Sequence, residues 1–237
     1  MEILVIGDAC IDEYRYGEIR RVNPESSAPL LNFNESEEKM GMAFNVAQNL
    51  RSFGASVDLF VGEKLSRKIR YIDRRTGEHL LRVDQDVEVK AFEVNMDFHG
   101  IDAIVISDYD KGFVSDETIL KLRQQFKGPM YMDTKKRNLV DFPGIYIKIN
   151  ERELFESTSL PAHDKLIVTY GAKGCGYMDK MYQAKKIEVV DVCGAGDVFM
   201  AAMVVKHLEV GDMSVALSFA NEKAAISCQS IGAVCVS

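Results

Sequence analysis

Short apolar runs recur along the chain, and nearly every one ends in a polar or glycine-containing cluster. Residues 3–6 run into Gly7-Asp8, 103–107 into Asp108, 146–149 into Asn150, and 165–169 into Tyr170-Gly171. Residues 57–61 and 130–133 form two more runs of the same kind. Continuous apolar stretches of this length suit strands buried on both faces of a parallel sheet. Between them lie helical patterns. Residues 40–53 place Phe44, Ala47 and Leu50 on one face and stop at Gly54. Further helices are predicted over 116–126, 151–156, 196–208 and 214–228. Alternating strands and helices predict an α/β fold: a mostly parallel sheet with helices on both faces.

One region breaks that rhythm. Over 68–84, Ile69, Tyr71, Leu81 and Val83 alternate with polar residues around Arg75-Thr76-Gly77-Glu78. This predicts a hairpin with one wet face, a poor fit inside a doubly covered sheet. It is expected to form a small β-lid outside the main sheet, with residues 30–34 pairing to it, so that lid strands fall around 14–35 and 68–84. Residues 176–178 are expected in another hairpin arm. No internal repeat, low-complexity tract or linker interrupts the chain, which predicts one domain over 1–237.

Composition narrows the function classes. Charged residues make up 27% of 237 residues and the net charge is −7, so a basic nucleic-acid surface is not expected. No apolar run approaches the ~20 residues of a membrane-spanning helix. The start, Met-Glu-Ile-Leu-Val-Ile-Gly, reads as a strand rather than a signal peptide. Five scattered cysteines without a CxxC, and four isolated histidines, argue against structural zinc and for a reduced, cytoplasmic setting.

Chemistry concentrates at the ends of the apolar runs. Asp191-Val192-Cys193-Gly194-Ala195-Gly196-Asp197 leads into an apolar helix. Its glycines admit close backbone approach, its first amides can face an anion, and Asp197 is placed to take a proton from a hydroxyl. A plain helix-start aspartate is the competing reading. Asn150 and Glu153 share the face of a helix start, where they suit Mg²⁺, directly or through water, or else simple capping. Thr169, Gly171 and Gly174 form a nucleotide-contact loop or a plain turn. Lys111, in Ser107-Asp108-Tyr109-Asp110-Lys111-Gly112, can neutralise a phosphate. Asp8 and Asp12 can hold sugar hydroxyls or merely serve a turn. Ligands gather at the carboxyl ends of strands in open α/β sheets, so these clusters are expected to meet at one rim.

Taken together, this order of motifs resembles the ribokinase-like (PfkB) family of carbohydrate kinases, from Gly7 to about Val234. Asp191 to Asp197 match the D-x-x-G-A-G-D signature, and Asn150 with Glu153 match N-x-x-E. Gly41 and Asn45 match the glycine-rich loop and the helix after it. Thr169, Gly171 and Gly174 are similar to the nucleotide-side loop, and Asn221 to the helix lining the adenine pocket. Within the family, four stretches resemble the kinase domain acting on D-glycero-β-D-manno-heptose 7-phosphate: Gly7-Asp8 with Asp12 and residues 14–17, residues 21–25, residues 107–112, and Asp133-Thr134-Lys135.

The departures are Met42 for the second glycine of a pair, Cys193 for a threonine, and Asp133-Thr134-Lys135-Lys136 for Asp-Pro-Lys-Gly. The stretches between Gly62 and Lys68 and between Leu154 and Lys165 are short, and the usual last helix after Val234 is missing.

The resemblance implies a three-layer ribokinase-like fold with a β-lid. It also implies transfer of the γ-phosphoryl group of ATP to a sugar hydroxyl, at C1 of the heptose 7-phosphate. Asp197 would be the base, and Gly194, Ala195 and Gly196 the anion hole. Asn150 and Glu153 would sit near Mg²⁺ and the nucleotide, with Thr169, Gly171, Gly174 and Asn221 contacting the nucleotide. Asp8, Asp12, Gly41, Asn45, Lys111, Asp133 and Lys135 would serve the sugar or sugar phosphate. The lid would exclude water and pair two subunits into a homodimer. Another sugar or a nucleoside as acceptor, or a binding protein that has lost turnover, are the alternatives.

Overall fold

The structure is a computed structural model that describes residues 1–230, 232 and 234–236. The chain divides into two compact units, Met1–Asp8 with Met42–Gly62 and Val89–Ser237, and Ala9–Gly41 with Glu63–Glu88.

The larger unit is built on an eight-stranded sheet. Its strands are β1 (Glu2–Gly7), β4 (Ser56–Phe60), β7 (Ala103–Asp108), β8 (Met130–Thr134), β9 (Tyr146–Asn150), β10 (Leu166–Thr169), β11 (Cys175–Tyr177) and β12 (Lys180–Tyr182). The order is β12-β11-β10-β9-β8-β7-β1-β4. All pairings from β4 to β10 are parallel, and only the β10–β11–β12 hairpins are antiparallel. The apolar runs therefore mark the central strands. In β1, Leu4, Val5 and Ile6 are fully buried because both faces of the sheet are covered.

On one face, Ile3, Val5, Val105, Tyr131 and Ile167 pack under α1 (Ala43–Ser52), α4 (Ala195–Val210) and α5 (Met213–Ser227). α4 is buried continuously from Asp197 to Val205, whereas α5 buries one side, with Ala216, Leu217 and Ala220, and exposes Val215, Ser218 and Glu222. The other face carries Leu4, Ile6, Ile104, Ile106, Ile147 and Ile149, covered by α2 (Asp116–Gln125) and an extended segment. That segment sends Phe92, Val94, Met96 and Phe98 alternately onto the sheet. The short α3 (Glu151–Glu156) follows β9. Between α3 and β10 the chain makes only a single 3₁₀ turn, His163–Lys165, and Phe155 is left 91% exposed.

The smaller unit is a four-stranded sheet of β2 (Ala9–Val22), β3 (Pro29–Met42), β5 (Ser66–Asp73) and β6 (Glu78–Gln85), in the order β3-β2-β5-β6. The expected hairpin is β5–β6, antiparallel with a register shift between Tyr71 and Ile72. β2 runs parallel to β5, pairing Cys10 with Ser66 through Gly17 with Asp73.

Two expectations are corrected here. Residues 30–34 do not pair with the hairpin; β3 lies on β2, whose other edge is taken by β5. The first helix starts at Ala43 rather than at residue 40, because β3 continues through Met42. Met42 sits at φ 59°, a backbone region that favours glycine, at the position where the sequence departs from a glycine pair.

Candidate active site

Within the larger unit, the carboxyl ends of β1, β7, β8 and β9 converge on the start of α4. The turn into α4 is made by Gly194, left-handed at φ 76°. Asp191 holds the approach: its Oδ1 accepts from the Cys193 amide at 3.0 Å and its Oδ2 from the Gly232 amide at 2.8 Å. The Ala195 amide donates to Val192 at 3.3 Å, and the Asp197 amide to Gly194 at 3.0 Å. Ala195 therefore faces an anion only by sharing or releasing a long hydrogen bond.

Asp197, in the first turn, is 8% exposed. The Asn45 side-chain amide on α1 donates to Oδ2 at 2.6 Å, and the Tyr109 hydroxyl donates to Oδ1 at 3.4 Å. Burial, aided by the nearby charge of Asp133, pushes the carboxyl up to about 6; Asn45, Lys148 and Tyr109 act against that rise. A carboxylate of this kind is ionised at neutral pH yet takes up a proton far more readily than an exposed aspartate.

Lys148 is the charge beneath the site. It lies on β9, is 4% exposed, and donates from Nζ to Asp133 Oδ2 at 2.6 Å. Burial opposes its charge, but Asp133, with Asp197 and Glu153 adding, outweighs burial and keeps the lysine above its usual value. A Cβ added to Gly196 would come within 3.2 Å of Nζ. Glycine at 196 thus lets a buried ammonium lie against the first turn of α4.

The loop after β7 is held by two buried carboxylates. Asp8 accepts from the amides of Tyr109 at 2.7 Å, Lys111 at 3.2 Å and Phe113 at 3.3 Å. Asp108 accepts from the Asp110 amide at 3.0 Å and the Thr134 hydroxyl at 2.6 Å. Lys136 lies 3.7 Å from Asp108 and 3.1 Å from Asp116. Burial pushes Asp108 up to about 6, against the Thr134 and Lys136 contacts. Asp110 takes a left-handed φ of 55°, which brings the turn round.

Asn150 and Glu153 form a reciprocal capping box at the start of α3. Glu153 Oε2 accepts from the Asn150 amide at 2.8 Å, and Asn150 Oδ1 accepts from the Glu153 amide at 2.9 Å. Glu153 Oε1 also pairs with Lys135, whose Nζ lies 5.5 Å over the Tyr109 ring. No cluster of three or more metal-ligating side chains occurs among the described residues. Both Glu153 oxygens being engaged, the pair suits Mg²⁺ only in its water-mediated mode, with the ion keeping most of its own waters.

The remaining residues fall as follows. Thr169 ends β10 with its hydroxyl on Ile149 O at 3.3 Å, and Gly171 and Gly174 make the left-handed turn after it. A Cβ on Gly174 would run into the backbone of Tyr182. Asn221, buried on α5, donates to Tyr182 O at 2.7 Å and so ties α5 to β12. In the smaller unit, Asp12 accepts from Arg70 at 2.5 Å, and any side chain at Gly41 would collide with the Asp12 carboxylate.

Asp197, Asn45, Asp133, Lys135, Asn150, Glu153 and Asp8 are linked by one run of contacts through Tyr109 and Lys148. Sequence reasoning missed Lys148 and Tyr109 as site residues. The signal for Lys148 was a lone charge inside an apolar strand run. For Tyr109 it was an aromatic inside a loop already chosen for its lysine.

Residues 146–236 match the model of the pfkB family carbohydrate kinases. Over 301 aligned positions, 99% of the chain is 26% identical to the bifunctional protein HldE of Bradyrhizobium diazoefficiens, and spans 61% of that protein. The alignment is longer than the chain and so contains long gaps on this side, consistent with shortened segments. Two solved structures share the fold, each with a TM-score of 0.70. The ribokinase of Thermotoga maritima is 18% identical, covering 98% of this chain and 94% of that one. The ribokinase of Cryptococcus neoformans in complex with ADP is 19% identical, covering 98% and 95%. The match over residues 146–236, the similarity to HldE along 99% of this chain and the ribokinase-like fold point the same way: the chain resembles the pfkB family carbohydrate kinases.

Proposed function

We propose that the chain transfers the γ-phosphoryl group of ATP to a sugar hydroxyl, with Asp197 as the general base. The observation that carries this is the Asp197 carboxylate itself: buried at the mouth of the glycine turn, fixed by Asn45 at 2.6 Å and tuned upward to about 6. Such a group accepts a hydroxyl proton near neutral pH without a large mismatch. The glycine turn at 194–196 and the α4 dipole face the phosphoryl group, and Lys148 adds a fixed positive charge below it. Positioning and charge stabilisation are the main demands of phosphoryl transfer, and these are what the residues offer. Magnesium, bound with the nucleotide, would offset charge on its phosphates; Asn150 and Glu153 are the residues that would face its waters.

The acceptor we propose is D-glycero-β-D-manno-heptose 7-phosphate. Support comes from the four sequence stretches named above and from the similarity to HldE proteins. The test is ADP release with ATP and Mg²⁺ across heptose 7-phosphate, hexoses, pentoses and nucleosides. Highest turnover on heptose 7-phosphate is expected. Preference for another acceptor would replace the substrate but keep the chemistry. Nucleotide binding by calorimetry with no turnover on any acceptor would refute the kinase reading.

A further inference from the structure

We propose that Tyr109 is a positioning residue for the Asp197 carboxylate, and that Oδ1 of Asp197 is the oxygen that receives the acceptor's proton. The inference rests on the reading of Asp197 as base. It follows from the different hydrogen-bond capacities of the two groups that hold the carboxylate.

Oδ2 is held by Asn45. That amide is oriented by a second contact, since Asn45 Oδ1 accepts from Asn49 Nδ2 at 3.3 Å, leaving Asn45 Nδ2 to face Asp197. An amide N–H donates and cannot accept. A proton on Oδ2 would compete with that donor for the same oxygen, so the 2.6 Å bond keeps Oδ2 in its unprotonated form. Oδ1 meets a hydroxyl instead. The Tyr109 hydroxyl donates to Oδ1 while the carboxylate is ionised, and by rotating it accepts from Oδ1–H once the proton has arrived. Of the two described partners, only Tyr109 satisfies both states of the base.

The loop is built to hold this hydroxyl in place. Asp8 is 3% exposed and takes three alternate loop amides, of Tyr109, Lys111 and Phe113, the first at 2.7 Å. Asp108 fixes the next residue, and Lys135 lies over the Tyr109 ring. With both its oxygens occupied in this way, Asp8 serves the loop that carries Tyr109. The charged and titratable groups facing Asp197 are Lys148 from β9, Asp133 from β8 and Tyr109 from the loop after β7; α1 contributes the neutral Asn45.

In the step, the acceptor oxygen forms a bond to the γ-phosphorus as its O–H proton passes to Asp197 Oδ1. The bond from the γ-phosphorus to the β–γ bridging oxygen breaks, and its electron pair leaves with ADP. The proton on Oδ1 is held by the Tyr109 oxygen until it returns to solvent.

The test is the pH dependence of kcat/KM in Tyr109→Phe, with ¹³C-carboxyl NMR titration of Asp197 as a readout independent of turnover. Removing a donor that favours the ionised form should move the acid limb, and the NMR midpoint, upward by about half a pH unit. kcat should fall by about tenfold with KM for ATP unchanged. Asp8→Asn, which loosens the loop without touching the hydroxyl, should move both in the same direction. If Asp197→Asn keeps turnover within a few-fold of wild type, the base reading itself is wrong. If Asp197→Asn is inactive but Tyr109→Phe gives a pH profile and NMR midpoint superimposable on wild type, the Tyr109 inference is overturned while the base reading stands.

Discussion

Replacing the base should make the protein more stable at neutral pH, and the gain should vanish in acid. Asp197 is pushed from an ordinary 3.8 up to about 6, chiefly by burial, so the folded state holds its ionised form at a cost. The sign follows from proton counting. Between pH 3.8 and about 6 the folded state binds more protons at this site than the unfolded chain, so the site's contribution to stability falls as pH rises through that window. Above it the penalty is constant at about 3 kcal/mol, and at pH 4 it is about 0.5 kcal/mol. In Asp197→Asn the neutral amide can still accept from Asn45 and can donate to the Tyr109 oxygen, so no buried partner is orphaned. A gain of about 1–3 kcal/mol is expected at pH 7.5, shrinking to a few tenths near pH 4. The assay is urea unfolding of both proteins at the two pH values. A variant less stable than wild type at pH 7.5, or a gain that does not change with pH, would refute the reasoning.

Other consequences are more local. Lys148→Met leaves the largely buried Asp133 carboxylate without its cation and should cost about 3–5 kcal/mol, and adding Asp133→Leu should recover most of it in a double-mutant cycle by denaturant unfolding. Asn150→Ala removes the capping-box acceptor and should lower stability by about 1 kcal/mol, read by the same unfolding assay. Glu153→Gln should raise the Mg²⁺ concentration needed for half-maximal turnover several-fold, and an unchanged magnesium titration would exclude Glu153 from the ion's water shell.

The parts of the fold that were legible in the sequence are those where burial is two-sided or periodic. Residues 3–6, 103–107 and 146–149 are continuous apolar runs because the sheet is covered on both faces, and they became β1, β7 and β9. β3 was not legible. Its central residues, from Glu35 to Glu38, are exposed without alternation, so nothing in the pattern separates that strand from a loop. The start of α1 was misplaced because Met40 and Met42 look helical by composition while the backbone there is still extended or left-handed.

At the site, Asp197, Asn150 and Glu153 were readable as motifs with fixed spacing. The capping box is also what the spacing of Asn150 and Glu153 suggests without any ligand. Lys148 escaped notice because its partner Asp133 comes from the neighbouring strand, a pairing that only sheet register creates. Tyr109 escaped because its contact with Asp197 spans 88 residues.

The central claim, that Asp197 is the base for phosphoryl transfer from ATP, is tested most directly by measuring ADP release and sugar phosphate formation in Asp197→Asn beside wild type, with ATP binding followed by calorimetry. The account predicts turnover reduced by at least about a hundredfold, with ATP affinity within a few-fold of wild type. Sugar phosphate formed by the variant at a rate close to wild type would contradict it.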